Sequence, residues 1–123
     1  MEKKRPKLPE TLTEGEIKEE ELFQNMVLRP IIKMQHSLLI LRVKSYFKSK
    51  RVIFNLMDNK KRTEAIVQAF QSDNSLKKEI QGMITGQLSL VEFQQYLKSE
   101  RSLNKRIFQM VRNRMIDSLF ELG

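Results

Sequence analysis

A chain of 123 residues with 23 Lys and Arg against 15 Asp and Glu carries a net charge of +8 and has the length of one domain with a modest core. It has no cysteine, which excludes disulfides and thiol chemistry, and a single histidine, His36, too few for a zinc centre built on histidine and cysteine. The longest strongly apolar run, Leu38 to Leu41, falls far short of the ~20 residues that a membrane span needs, so no transmembrane segment is expected.

In chain order, residues 1–19 hold Pro6, Pro9, Gly15, many charges and little apolar bulk, which predicts a disordered or loosely tethered tail ahead of a folded domain over 20–123. No apolar leader run is visible in residues 1–21, so a cytoplasmic location is the default expectation. Five basic and seven acidic groups give residues 1–21 a local balance of −2, leaving +10 on the other 102. A body that basic attracts polyanions, whether nucleic acid, acidic protein or anionic lipid.

Residues 22–48 are the organising stretch. At about 100° per residue, Val27, Ile31, Met34, Leu38 and Leu41 form one stripe, while Ile32, Leu39, Val43 and Tyr46 form a second, nearly opposite, with His36 at its centre. A helix with two apolar stripes must be covered twice, either as the centre of a bundle or by its own protein on one face and a second copy on the other. The second stripe, Ile32, His36, Leu39 and Val43, is the candidate homodimer interface. Pro30 removes a hydrogen bond and pushes Arg29 from helical dihedrals, which predicts a short helix over 20–28, a kink or break, and a long helix over 31–48.

Val52, Ile53, Phe54 and Leu56 lack any partner strand and read as an apolar connector. Asp58 or Asn59 caps a helix over 60–70, with Ala65, Ile66, Ala69 and Phe70 as its stripe. A helix over 75–85 follows, turning Leu76, Ile80, Met83 and Ile84 inward, with Gly86 suited to a left-handed cap. Ser89 and Glu92 have capping-box spacing ahead of a helix whose expected buried side is Leu90, Phe93, Tyr96 and Leu97. The last helix, over 102–122, has Leu103, Ile107, Met110, Val111 and Leu122 on its apolar side. Together these elements predict an all-α fold: a single-domain bundle of about five to six helices with a long central helix.

The chemistry-bearing motifs are sparse. Gly86, Leu88 and Glu92 match the second half of an EF-hand loop, but the positions that need oxygen ligands are Gln81, Met83 and Thr85, and the capping box accounts for Glu92. His36, set among Ile32, Leu39, Ile40 and Val43, reads as a core or interface histidine bonded to a neighbour; no carboxylate lies near it in sequence. No glycine-rich phosphate loop or nucleophile elbow is present, and no cofactor or metal is expected. On the last helix Lys98, Arg101, Lys105 and Arg112 fall within about 60° of one another, a candidate polyanion-binding stripe.

The run LFQNMVLRPIIKMQHSLLI, residues 22–40, resembles short all-helical bacterial proteins of uncharacterised role, some of which carry a glyoxalase label. The resemblance implies an all-helical fold and brings no functional residues with it. Glyoxalase I enzymes use paired βαβββ modules and a metal held by histidine and glutamate, whereas this chain has one histidine and no repeated module. The expectation is therefore a non-enzymatic helical interaction protein that pairs with itself, the alternative being nucleic-acid binding through the basic face.

Overall fold

The computed structural model describes residues 14–123. Of the tail expected over 1–19, residues 1–13 lie outside the described residues. The fold is an all-α, single-domain bundle with seven helices among the described residues: α1 (Glu14–Phe23), α2 (Arg29–Met34), α3 (His36–Ser49), α4 (Asn59–Ser72), α5 (Asn74–Thr85), α6 (Leu90–Lys98) and α7 (Glu100–Ile116). A π-turn, Gln24–Leu28, joins α1 to α2, and short 3-10 turns span Phe54–Leu56 and Leu119–Leu122. Among the described residues no helix is long and apolar enough to cross a membrane.

The first helix begins at Glu14, six residues before the expected start, so 14–19 are helix rather than tail. Pro30 does not break it. Phe23, Leu28 and Arg29 all keep right-handed helical dihedrals, and Arg29 N–H reaches back five residues to the Gln24 carbonyl. A π-turn widens the helix by one residue, which relieves the clash between the proline ring and the carbonyl of the preceding turn. The buried positions record this insertion. Phe23 and Leu28 are five residues apart, while Leu28, Ile32, Gln35, Leu39, Val43 and Phe47 succeed one another by three or four. The interruption falls instead at Gln35, whose ψ of 6° separates α2 from α3. Its side chain donates from Nε2 to the Met83 carbonyl at 3.0 Å, fixing the bend against α5.

The remaining helix starts follow cap chemistry. Asp58 accepts from Lys61 N–H at 2.9 Å, Asp73 from Leu76 N–H at 3.0 Å, and Ser89 with Glu92 closes a reciprocal capping box. Each carboxylate or hydroxyl satisfies an amide that has no partner inside the first turn. Gly86 ends α5 with φ −65°, a right-handed conformation, so the expected left-handed cap is not used. Among the described residues the left-handed one is Arg51, with φ 61°.

α7 packs against α2, α4, α5, α6 and the C-terminal turn. Its Leu103, Ile107, Val111 and Met115 meet Ile66 and Phe70 of α4, Leu76, Ile80 and Ile84 of α5, and the inner face of α2 and α3 in one core. Burial at ~25 cal/mol per Å² of apolar surface is what drives these amphipathic helices together. α6 contributes only Tyr96 to that core; Leu90, Phe93 and Leu97, expected inside, are exposed. The connector buries Phe54 and leaves Ile53 and Leu56 in solvent.

Candidate functional site

The two stripes of 22–48 have opposite fates from those expected. Ile32, Leu39 and Val43, read as a homodimer interface, are fully covered by the chain's own helices. The other stripe is free in part: Met34, Leu38 and Leu41 are each more than half exposed, whereas Val27 and Ile31 are half-buried against the core. The reason is that four later helices and the C-terminal turn supply enough apolar surface to cover one face of α2 and α3: α2 meets α7, α3 meets the C-terminal turn, and Gln35 between them is bonded to α5.

Upstream, Leu22 and Met26 are also more than half exposed. The π-turn sets their placement. Its extra residue holds back the rotation that an uninterrupted α-helix would accumulate between Leu22 and Met34. Leu22, Met26, Met34, Leu38 and Leu41 thereby follow one another at three-, four- and eight-residue steps as an outer ridge, about 28 Å long at 1.5 Å per residue. Five large exposed side chains in one row exceed the scattered apolar residues of an ordinary surface.

Beside Leu41 the ridge opens into a groove of about 490 Å³, walled by Phe47, Val52, Ile53, Phe54 and Leu122 and rimmed by Lys44, Lys48 and Arg51. Phe47 and Phe54 stack within it at 4.8 Å between ring centroids. Arg51 owes its position to the way α3 ends. Val52 N–H bonds the Phe47 carbonyl at 2.9 Å and Arg51 N–H the Lys48 carbonyl at 3.0 Å, a Schellman motif with Arg51 at the left-handed position.

His36 is half-buried and bonded on both ring nitrogens. Arg114 Nε donates to Nδ1 at 2.8 Å, and Nε2 donates to Glu121 at 3.0 Å and 3.2 Å. With Arg114 able only to donate, the proton sits on Nε2 and the imidazole is neutral. Glu121 belongs to the C-terminal 3-10 turn, so this chain of three side chains ties that turn to α3 and α7. Neither nitrogen is free to act as a base. The partner that sequence reasoning missed, Glu121, lies 85 residues away, beyond any spacing argument.

The expected basic stripe is divided. Ser99, with φ −135° and ψ 36°, separates α6 from α7, so Lys98 belongs to α6 and lines a different cleft. Arg101 and Lys105 are exposed on α7, and Arg112 is half-buried and bonded to Asn113. Among the described residues, neither Arg101 nor Lys105 takes part in an ion pair. The Lys98 cleft, of about 440 Å³ between α1, α6 and α7, also holds Glu19 and Glu20. Glu20 accepts from the Ser102 hydroxyl at 2.6 Å through Oε1.

Glu92, the residue that suggested calcium, spends Oε1 on the Ser89 amide at 2.8 Å. Among the described residues no three His, Cys, Asp or Glu side chains gather as a metal site. A carboxyl and a phenol bonded to each other, Asp73 and Tyr46, both depart from their ordinary acidity. Asp73 is held below the usual carboxylate range by the Leu76 amide and by the Tyr46 hydroxyl, which donates to it at 2.8 Å. Burial pushes the Tyr46 phenol up to about 12, helped by the same bond to Asp73. This pair joins α3 to the start of α5.

No protein-family model matches the chain, and neither a curated protein nor a solved structure does.

Proposed function

We propose that this chain is a non-enzymatic helical protein that acts by binding, and that it forms a homodimer through the outer ridge of α1 to α3. The observation that carries this reading is the uncovered row of Leu22, Met26, Met34, Leu38 and Leu41 on a helix whose opposite face is core. Apolar area of this kind is stabilised by removal from water at ~25 cal/mol per Å², and a two-fold axis lets one patch serve both protomers. The engaged state of both His36 nitrogens supports a structural role for the only histidine.

Light scattering at micromolar concentration is the test. A mass of about 29 kDa, twice the 14.6 kDa chain, is expected, and Leu38→Glu should return it to the monomer with its helical circular dichroism intact. A monomer mass for the parent chain at all micromolar concentrations overturns the homodimer.

A second reading, polyanion binding, is favoured by Arg101 and Lys105, exposed on one face of α7 and without an ion-pair partner among the described residues. It requires a mobility shift of DNA or RNA at low salt, weakened by Arg101→Glu or Lys105→Glu for all sequences alike. The absence of any shift at low salt ends it.

A further inference from the structure

The ridge has a feature that plain apolarity does not explain: its two ends are oppositely charged. α1 carries Glu14, Glu16, Glu19, Glu20 and Glu21 against one lysine, Lys18. From Arg29 onward the same helical path carries Arg29, Lys33, Arg42, Lys44, Lys48, Lys50 and Arg51 and no acidic residue. Glu14, Glu19 and Glu21 are exposed at one end, and Lys44, Lys48 and Arg51 rim the groove at the other.

We infer that two copies of the chain pair antiparallel along this ridge, the glutamate-rich α1 of one protomer lying on the lysine- and arginine-rich end of α3 of the other. The inference rests on the reading of the ridge as the binding face and adds its partner orientation. Parallel pairing would stack glutamates on glutamates and cations on cations over the whole length. Antiparallel pairing satisfies both ends at once, because a two-fold axis perpendicular to the helix repeats each opposite-charge contact. The lengths agree. With Leu22 of one protomer facing Leu41 of the partner subunit, the axis passes beside Ile31 and Ile32. The same register then sets Glu19 level with Lys44 of the partner subunit along the helix axis.

Other occupants fit less well. Residues 1–13 hold four basic and two acidic groups, the wrong sign for a groove rimmed by cations. The exposed face of α6, Leu90, Phe93 and Leu97, carries far less charge, with Glu92 in its first turn and Lys98 in its last as the helix's one acidic and one basic residue.

The chain's lack of cysteine makes the test clean. Leu22→Cys and Leu41→Cys are made separately at exposed positions, checked by circular dichroism, and treated with a short thiol cross-linker alone and mixed. The expected result is a covalent dimer from the mixture and little from either variant alone. Glu19→Lys and Lys44→Glu should each weaken the parent dimer by roughly tenfold, and the chain carrying both should recover. Raising salt from low to near-molar should weaken the parent dimer by a similar factor.

The outcomes separate the two claims. Efficient cross-linking of each variant with itself, in a species of dimer mass, overturns the antiparallel arrangement and leaves the ridge as interface. A dimer that no ridge cysteine cross-links, or one that Leu97→Glu dissociates and Leu38→Glu does not, overturns the ridge itself. A monomer overturns both.

Discussion

Replacing Arg51 with glycine should stabilise the protein, and the end of α3 shows by how much. Arg51 holds φ 61° because the Schellman motif needs a left-handed residue between Lys50 and Val52. An L-residue pays about 1–2 kcal/mol there, from its Cβ against the following carbonyl. Glycine has no Cβ but loses more backbone freedom on folding, a cost of roughly 0.5–1 kcal/mol. The difference is a net gain of about 0.5–1 kcal/mol, provided that the arginine side chain itself contributes little. Arg51→Ala supplies that control: it keeps the Cβ and removes the same charge. Arg51→Gly should therefore unfold about 3 °C above Arg51→Ala for a domain of this size, and Arg51→Val should unfold below both. Thermal and urea unfolding followed by circular dichroism give the comparison. Equal midpoints for the glycine and alanine variants would refute the left-handed assignment, and with it the Schellman end of α3.

Pro30→Ala should raise the midpoint: Pro30 is exposed, its π-turn has already absorbed the clash, and an interior helical proline costs up to ~3 kcal/mol, so a gain of about 1 kcal/mol is expected. A fall in the midpoint would show that the proline sets the π-turn on which the packing of Phe23 depends. Asp73 is more acidic folded than unfolded, chiefly through the Leu76 amide and then the Tyr46 hydroxyl, so the stability it confers is present above its ordinary value near 3.8 and is lost as pH falls through its lower folded value. Asp73→Asn should flatten that acid limb in urea midpoints measured between neutral and strongly acidic pH, and an unchanged limb would assign it to other carboxylates. His36→Ala leaves Arg114 and Glu121 without their shared partner and should cost about 1–3 kcal/mol; hydrogen exchange should locate the loss at the C-terminal turn, and exchange unchanged there would contradict the tie. Ile107→Ala, at a fully buried position, should cost about 2–5 kcal/mol by urea unfolding, whereas Leu38→Ala on the exposed ridge should cost the protomer little.

Local chemistry alone determined much of this protein. The 3.6-residue periodicity of 22–48, the Asp58 and Ser89 caps and the apolar series Leu103, Ile107 and Val111 establish an all-α bundle because helix periodicity and end capping act within a few residues. That α2 and α3 carry two apolar stripes was legible in the same way. Which stripe becomes core was not, because both satisfy the same periodicity and the choice belongs to the later helices and the C-terminal turn, which cover Ile32, Leu39 and Val43 and leave Met34, Leu38 and Leu41 outside. Pro30 likewise signals a disturbance without naming its form. A break and a π-turn both relieve the same clash, and the continuous burial from Phe23 to Leu28 to Ile32 selects the second. His36 finds Arg114 and Glu121 only because α7 and the C-terminal turn fold back onto α3. Contacts spanning about eighty residues are products of tertiary packing, and no spacing within a helix encodes them.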